Sequence, residues 1–239
     1  CGAAIIFKVR RGLMKALVLS SGGIDSATAL GMAVNKYGKE NVISLSVSYG
    51  QKHNKELIAA NEVAKYYGVE QLFLDLEKIF EYSNCSLLHQ STEEIPEESY
   101  SEQIKQTEGK TPVSTYVPFR NGLFLSAAAS IALSKDCSII YYGVHTDDAA
   151  GSAYPDCSPV FNKAMNDAIW EGSGKQLHIE APFVNKIKAD IVKIGLELNV
   201  PYQFTWSCYE GQDKPCGKCG TCIDRAVAFA KNNAVDPAL

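Results

Sequence analysis

One stretch near the beginning of the chain decides the fold: Ala16-Leu17-Val18-Leu19-Ser20-Ser21-Gly22-Gly23-Ile24-Asp25-Ser26. The aliphatic run from Ala16 to Leu19 predicts a buried strand, and the amphipathic segment from Ser26 to Tyr37 predicts a helix. The two glycines between them permit a tight turn, whose N–H groups and helix N-terminus converge on one point and stabilise an anion there. This pattern indicates a phosphate site, but not one of the Walker type, because no lysine follows the second glycine. A plain turn with Ser26 as the helix N-cap is the structural alternative.

Short aliphatic runs and longer amphipathic segments alternate along the rest of the chain. Such alternation is typical of a parallel α/β sheet, in which a helix follows each strand. The predicted strands are Ala16 to Leu19, Val42 to Val47, Leu72 to Leu74, Ile139 to Gly143 and Leu177 to Ile179. The predicted helices are Ser26 to Tyr37, Asn54 to Tyr67, Gly122 to Ser134, Val160 to Ile169, Lys188 to Leu198 and Cys222 to Lys231.

The segment 77-115, from Glu77 to Thr115, interrupts this alternation. It contains Glu93-Glu94-Ile95-Pro96-Glu97-Glu98, few apolar residues and no clear periodicity. Loops of this length are uncommon and often act as lids or interface elements. The sequence leaves two interpretations open, a lid over the site and a solvated surface insertion.

The composition indicates one soluble globular domain. The chain has 239 residues, 23 Lys and Arg against 27 Asp and Glu, a formal charge of -4 and 46% hydrophobic residues. Its longest apolar run, around Leu123 to Leu133, contains two serines and is shorter than the roughly 20 residues that a membrane helix needs. The acidic balance argues against binding of duplex nucleic acid through bulk positive charge. We therefore expect neither a membrane nor a nucleic-acid partner.

Four of the eight cysteines lie close together near the C-terminus, at Cys208, Cys216, Cys219 and Cys222. In a chain of enzyme size, this clustering favours metal ligation over a disulfide framework and indicates a reduced, cytoplasmic protein. Four thiolates at this spacing fit a closed tetrahedral zinc site. An iron–sulfur cluster and a redox dithiol are the alternatives. We predict a zinc-binding segment with a C-terminal helix in residues 201-239.

Residues 1-13 are predicted to be an extension, because Met14 precedes the first strand as a natural start would. Their apolar piece comes before their basic residues, which is the wrong order for a signal peptide. Cys1 invites comparison with N-terminal-nucleophile amidotransferases, in which the free Cys amine acts as a base. Only about a dozen residues lie between Cys1 and the domain that begins at Met14, too few for that fold, so we expect no catalytic role for Cys1.

The loop from Ser21 to Ser26 resembles the SGGxDS loop of the N-type ATP pyrophosphatases, the PP-loop enzymes. The resemblance implies a Rossmann-like fold of the adenine nucleotide alpha hydrolase type in residues 14-200, with helices on both faces of the sheet. It also implies that the loop binds the pyrophosphate released when ATP, with Mg(II), adenylates a substrate oxygen. Ser21, Asp25 and Ser26 are the predicted catalytic residues. The predicted ATP-binding residues are Ser20, Ser21, Gly22, Gly23, Ile24, Asp25, Ser26, Tyr49, Gln51 and His53.

Five further motifs follow the loop in the chain: Tyr49-Gly50-Gln51-Lys52-His53, Val117-Pro118-Phe119-Arg120-Asn121, Tyr154-Pro155-Asp156-Cys157, Thr205-Trp206-Ser207-Cys208-Tyr209 and the cysteine cluster. With these motifs, the chain from Met14 to about Asn233 resembles the 7-cyano-7-deazaguanine synthase family. Phe119 departs from the family pattern, which commonly has Gly there, and this leaves the backbone path before Arg120 open. The resemblance implies an ATP-dependent C–N ligase of queuosine biosynthesis that converts 7-carboxy-7-deazaguanine and ammonia to the nitrile, with AMP favoured over ADP as product. It also suggests a homodimer.

Five residues are the predicted substrate contacts. Arg120 and Asn121 lie at the start of a predicted helix. Helix N-termini disfavour cations, so an arginine at this position indicates that it binds an anionic ligand. Asp156 has acceptors for a guanine-like N1–H and exocyclic amine, while Tyr154 or Trp206 has a ring that stacks on the base. An ordinary turn or surface position is the alternative for each.

Competing interpretations remain at the level of function. They are a PP-loop enzyme that modifies tRNA, a related enzyme acting on another substrate, and a zinc-ribbon binding module without activity. Asp147 and Asp148 follow a predicted strand, and for them the sequence leaves Mg(II) binding and helix capping open.

Overall fold

A parallel sheet of five strands forms the centre of the molecule. The computed structural model describes residues 14–52, 54–98, 100–106, 111–150, 153–210 and 213–238, so Cys1 with the predicted extension, and His53, lie outside the described residues. The strands are β1 (Ala16–Leu19), β2 (Val42–Ser48), β3 (Glu70–Asp75), β4 (Ile139–Tyr141) and β5 (His178–Glu180). Their order is β3-β2-β1-β4-β5, and every neighbouring pair is parallel. The chain therefore runs outward on both sides of β1, as in doubly wound folds.

Helices cover both faces of this sheet. Within the described part of the chain they are α1 (Ile24–Tyr37), α2 (Lys55–Tyr67), α3 (Glu77–Phe80), α4 (Tyr100–Gln106), α5 (Arg120–Ser134), α6 (Thr146–Ala149), α7 (Pro159–Gly172), α8 (Lys188–Glu197) and α9 (Gly220–Lys231). None of these helices is long and apolar enough to cross a membrane.

The alternation of side chains along β1 explains the two layers. Leu17 and Leu19 point to one face, where they pack with residues of α5 and α7. Ala16 and Val18 point to the other face, into a second cluster with residues of α1, α2, α8 and α9. Because successive side chains of a strand point to opposite faces, four apolar residues in a row predict a strand that is covered on both sides. The predicted α/β fold is confirmed.

Several element boundaries differ from the prediction. Helix α1 begins at Ile24 rather than Ser26, and Gly23 is its N-cap, so Ser26 lies within the first turn and the alternative of a Ser26 N-cap does not hold. Strand β4 ends at Tyr141 rather than Gly143, because its last paired residue lies opposite Val18, just before β1 turns into the loop. Strand β1 has the predicted bounds, and β2, β3 and β5 differ from theirs by one or two residues at an end.

The insertion, residues 77-115, is less irregular than predicted, since α3 and α4 lie within it. It is attached to the domain through a small apolar cluster that includes Phe80, Leu88 and Ile95 of the insertion and Tyr49 and Val117 outside it. Its acidic stretch also contacts the C-terminal segment, because the Lys218 ammonium forms an ion pair with Glu97. Its role as a lid stays a prediction.

The C-terminal segment, defined here as residues 201-239, packs on the domain in its described part. Phe229 of α9 is buried in the same cluster as the residues of α1. Arg225 is also buried, and its guanidinium donates to both carboxylate oxygens of Asp236 at 2.5 and 2.8 Å. The same guanidinium donates to Thr205 Oγ1 at 3.0 Å and to Ser207 Oγ at 3.3 Å. This buried charge network therefore fixes the stretch that precedes the cysteines.

Candidate active site and metal centre

A pocket lies beyond the carboxyl ends of β1, β2 and β4, where the sheet order reverses and the C-terminal segment closes one side. In open α/β sheets, ligands bind at this kind of switch point. The structure brings ten of the predicted site residues together in its wall. They are Ser20, Ser21, Gly23, Asp25, Ser26, Tyr49, Gln51, Arg120, Asn121 and Trp206.

The glycine-containing loop has the tight turn that its sequence predicts. Gly22 has a φ of 89°, and a Cβ added there would lie 2.2 Å from the backbone oxygen of Glu56 and 2.7 Å from the nitrogen of Ala60. Glycine is therefore required both by conformation and by the close approach of α2. Ile24 is buried in the core beneath the loop. These two predicted ATP-site residues shape the loop rather than line the pocket.

The Ser26 hydroxyl occupies the centre of the loop. Its Oγ accepts from the N–H of Ser21 at 3.1 Å and from the N–H of Gly22 at 3.2 Å, and lies 3.1 Å from Ser21 Oγ. These donors therefore converge on one oxygen, which is the arrangement that binds a phosphate oxygen at a helix start. The first N–H groups of α1 add to it, because a helix leaves them without intrahelical acceptors.

A charged network surrounds Asp25, and the sequence analysis missed two of its members. Asp25 Oδ2 lies 3.4 Å from the Lys188 ammonium and 3.6 Å from His145 Nε2. Burial raises the pKa of Asp25, but Lys188 and His145 lower it more, so the pKa lies well below its usual value. The carboxylate is therefore ionised. Its Oδ1 is buried and accepts no hydrogen bond from a described residue, which leaves an oxygen suited to a cation.

Asp147 connects the same network to α8. Its carboxylate accepts a hydrogen bond from the backbone N–H of Lys188 at 2.9 Å and lies 3.9 Å from His145 Nδ1. Asp147 therefore caps the first residue of α8 from a distant part of the chain. His145 lies four residues after the end of β4 and Lys188 eight residues after the end of β5. A position beyond the carboxyl end of a strand was therefore the available sequence signal.

Arg120 and Glu56 meet near Tyr49 on the opposite wall. The Arg120 guanidinium lies over the Tyr49 ring, 5.1 Å from its centroid, and the Tyr49 N–H donates to Gln51 Oε1 at 2.9 Å. Burial raises the pKa of the Glu56 carboxyl to about 7, although the Arg120 charge opposes this shift. The sequence analysis did not identify Glu56, which lies one turn beyond the predicted Tyr49 motif in the first turn of α2.

Phe119 takes a left-handed backbone conformation, with φ 54° and ψ 26°, immediately before Arg120. This conformation explains why the family commonly has glycine at this position, since it costs a residue with a Cβ about 1–2 kcal/mol of conformational energy. Its ring packs edge-on to Phe161 at 5.8 Å, and its N–H donates to Tyr116 Oη at 2.9 Å. The turn places Arg120 at the first position of α5, as predicted.

Asp156 and Tyr154 lie behind the pocket wall, and neither is among its lining residues. The Asp156 carboxylate is buried and accepts from the backbone N–H of Asn121 at 2.9 Å and from its side-chain amide at 3.2 Å. Tyr154 Oη lies 2.5 Å from Thr115 Oγ1. In this arrangement Asp156 orients Asn121 at the start of α5, and direct contact of Asp156 or Tyr154 with a substrate stays a prediction.

The C-terminal segment is joined directly to the glycine loop. The Trp206 N–H donates to the carbonyl oxygen of Gly22 at 2.9 Å, and the Lys55 ammonium lies 4.6 Å from the centroid of the Trp206 ring. The indole N–H donates to the carbonyl oxygen of Cys208 at 2.8 Å. Trp206 thus connects the glycine loop with the first of the clustered cysteines.

The four clustered cysteines converge on one point. The Sγ atoms of Cys208, Cys216, Cys219 and Cys222 all lie within 4.8 Å of one another. Tetrahedral bonds of about 2.3 Å would separate such sulfurs by roughly 3.8 Å, close to what is found. The N–H of Cys216 donates to Cys208 Sγ at 3.2 Å, and the N–H of Cys219 donates to Cys216 Sγ at 3.3 Å. These bonds stabilise thiolate sulfurs, so the cluster is suited to holding a metal ion.

Comparisons with known proteins agree with this site. A sequence profile described as "Queuosine biosynthesis protein QueC" matches residues 15–233. The 7-cyano-7-deazaguanine synthase of Archaeoglobus fulgidus is 42% identical over 227 residues, which cover 95% of this chain and 90% of that protein. The enzyme of the same name from Pseudoalteromonas atlantica is 42% identical over 225 residues, covering 94% and 98%.

A solved structure supports the fold. The NMN synthetase of Francisella tularensis superposes with a TM-score of 0.51 at 16% identity, covering 93% of this chain and 79% of that one. The profile match and the high identity to the synthases extend over nearly the whole chain, including the loop, the pocket and the cysteine cluster. This chain therefore belongs to the QueC family of queuosine biosynthesis proteins.

Proposed function

We propose that this chain is a 7-cyano-7-deazaguanine synthase, which converts 7-carboxy-7-deazaguanine and ammonia to the nitrile with ATP. Its family consists of enzymes named for that product. One observation supports the proposal most directly: the phosphate-binding loop lines the same pocket as Arg120, Asn121 and Trp206. A nucleotide and a flat, anionic second substrate are therefore accommodated side by side.

The chemistry requires such a shared pocket. A carboxylate is a poor electrophile, so its oxygen is first adenylated by ATP, and pyrophosphate leaves. Ammonia then displaces AMP to give the amide. A second adenylation, now of the amide oxygen, allows its elimination to the nitrile. Both activations release pyrophosphate, and one loop serves them in turn.

The loop and its charged neighbours stabilise the departing pyrophosphate in this proposal. The N–H groups that converge on Ser26 Oγ supply fixed dipoles at the place where negative charge develops on the pyrophosphate. Such electrostatic stabilisation of the transition state is the largest contribution to the rate enhancement of many enzymes. The free Oδ1 of Asp25 is the ligand that we assign to Mg(II) of the nucleotide. The Lys188 ammonium lines the pocket 3.4 Å from Asp25 and adds a positive charge on the phosphate side.

Arg120 and Trp206 are the substrate contacts that the pocket favours. The guanidinium carries a permanent charge and planar donors, which suit the carboxylate of the acid. The Trp206 ring offers a face on which the deazaguanine base stacks. Asp156 would act through Asn121, whose backbone and amide it orients.

We further propose that the cysteine cluster holds one Zn(II). The four buried or half-buried sulfurs are close enough for a tetrahedral site, whereas a cubane iron–sulfur cluster would place its four ligands on separate iron atoms and farther apart. Bound zinc would cross-link the C-terminal segment and so fix Trp206 against Gly22. Elemental analysis of the purified protein tests this, with one zinc per chain expected. Iron with a brown chromophore would contradict it.

The test of the reaction is product analysis with each substrate omitted in turn. We expect AMP, pyrophosphate and nitrile only when ATP, 7-carboxy-7-deazaguanine and ammonium are all present. Asp25→Ala and Ser26→Ala are expected to abolish nitrile formation, and Ser130→Ala, an exposed position on α5, serves as the matched control. AMP release that depends on tRNA instead, or ADP as product, would refute the assignment.

A homodimer in the cytoplasm completes the proposal, on the basis of the family resemblance. Light scattering of the purified protein is expected to give twice the mass of one chain. A mass of one chain at enzyme concentrations used in the assay would contradict it.

A further inference from the structure

Two carboxylates line the pocket in the described part of the chain, those of Asp25 and Glu56. Asp25 lies within 3.6 Å of both Lys188 and His145, and its pKa is held low, so it is a weak base. Glu56 forms no ion pair with a described residue. Of the two, Glu56 is therefore the carboxylate whose pKa is raised, because its burial outweighs the opposing charge of Arg120.

The position of Glu56 is fixed by the fold. It lies in the first turn of α2, and its backbone oxygen is so close to Gly22 that only glycine fits there. Its side chain reaches the same pocket as the glycine loop, and every wall of that pocket contributes titratable or charged groups. They are Arg120 from α5, Tyr49 after β2, Asp25 from α1, Lys188 from α8, Tyr142 after β4, Cys157 and Tyr209. Lys55, beside it in sequence, points to Trp206 instead.

The proposed reaction needs a base at this place. Ammonia in neutral water is present almost entirely as ammonium, which has no lone pair to attack a carbonyl carbon. A group in the pocket must therefore take a proton from ammonium beside the acyl-adenylate. An ionised carboxylate both attracts the cation and accepts its proton.

We propose that Glu56 is a catalytic residue that binds ammonium and takes its proton at the acyl-adenylate. This inference rests on the proposed function. The proton moves from ammonium to the Glu56 carboxylate, and the nitrogen lone pair forms the new C–N bond. The C–O bond to AMP then breaks, AMP leaves with that electron pair, and the second proton of the nitrogen is lost to solvent.

The surroundings of Glu56 suit this task. Burial raises the pKa of its carboxyl to about 7, and Arg120 prevents a larger rise. A general base works best when its pKa lies near the working pH, because it is then ionised and still basic. The Tyr49 and Phe124 rings, whose centroids lie 5.8 Å apart, line the same pocket and give it an apolar part.

Glu56→Gln tests the inference, with Glu62→Gln as its matched control. Glu62 lies on the same helix, but its side chain is 44% exposed and pairs with Lys65. Two reactions are measured. Exchange of pyrophosphate into ATP, dependent on 7-carboxy-7-deazaguanine and without ammonium, reports adenylation. Amide formation with ammonium reports the proposed step. We expect Glu56→Gln to keep the wild-type exchange rate and to lose about 10²–10⁴-fold in amide formation, while Glu62→Gln changes neither rate.

Hydroxylamine separates a base from a merely structural residue. It is largely neutral at pH 7 and needs no deprotonation before it attacks, so hydroxamate formation by Glu56→Gln is expected at close to the wild-type rate. An equal loss with ammonium and hydroxylamine would overturn the inference, as would unchanged amide formation or lost exchange in the folded variant. If Glu56→Gln does not fold, Glu56→Asp is used, with the same selective loss for ammonium expected. Absence of acid-dependent exchange in the wild type would instead refute the proposed function.

Discussion

Replacement of Gly22 by alanine tests whether the backbone of the glycine loop lies in close contact with the backbone of α2. Gly22 has a φ of 89°, and a Cβ at this position would lie 2.2 Å from the Glu56 backbone oxygen and 2.7 Å from the Ala60 nitrogen. Both contacts are to the backbone of a helix, which cannot move aside as a flexible side chain does. The loop or the first turn of α2 must therefore shift in Gly22→Ala.

The magnitude follows from two contributions. The left-handed backbone conformation of a residue with a Cβ costs about 1–2 kcal/mol. Overpacking against rigid neighbours adds about 1–3 kcal/mol. We expect the free energy of unfolding to fall by roughly 2–5 kcal/mol in Gly22→Ala, since the two costs add.

Gly68→Ala is the matched control. Gly68 ends the same helix with a φ of 66°, but a Cβ there would meet only the Lys39 side chain, at 3.7 Å and beyond. It carries the conformational cost alone, about 1–2 kcal/mol. Urea unfolding of both variants measures the difference, and ATP–pyrophosphate exchange measures the loop. We expect exchange to be lost in Gly22→Ala and kept in Gly68→Ala. An equal loss of stability in the two variants would refute the close contact between loop and helix.

Three further predictions concern the metal centre, a buried ion pair and the pH dependence of stability. Cys219→Ser is expected to lower bound zinc well below one equivalent by elemental analysis, since three thiolates remain. Asp236→Ala leaves the buried Arg225 charge without its partner, and should cost about 3–5 kcal/mol in urea unfolding, against about 0–1 kcal/mol for the exposed Asp167→Ala. The pKa of Glu56 is raised to about 7, so folding disfavours its ionised form. Glu56→Gln should therefore gain stability over the wild type as pH rises from 5 to 8, by at most about 3 kcal/mol, and no gain would contradict the raised pKa.

The sequence predicted much of the fold because its signals are local. Four apolar residues at Ala16 to Leu19, a glycine turn and an amphipathic helix predict the first strand and helix, and the alternation of strand and helix continues along the chain. The start of α1 and the end of β4 differ from the prediction because they depend on where β1 stops pairing with its neighbours. The helices of the insertion were also missed, because its polar sequence has no clear period.

The predicted site residues separate into two groups in space. Arg120, Asn121 and Trp206 line the pocket, whereas Tyr154 and Asp156 lie behind it. Sequence spacing places Asp156 after a turn, but it does not reveal that the Asp156 carboxylate accepts hydrogen bonds from the backbone and side chain of Asn121. That depends on how α5 packs against a segment far along the chain.

The sequence by itself determined the glycine loop, the clustered cysteines and the alternation of the main strands and helices, because each depends on residues that are neighbours along the chain. Only the tertiary structure decided which charges meet. Lys188 and His145 approach Asp25, and Glu56 enters the same pocket, since parallel strands bring their carboxyl ends to one edge of the sheet. Their proton affinities depend on burial and on partners distant in sequence, and these are properties of the folded chain alone.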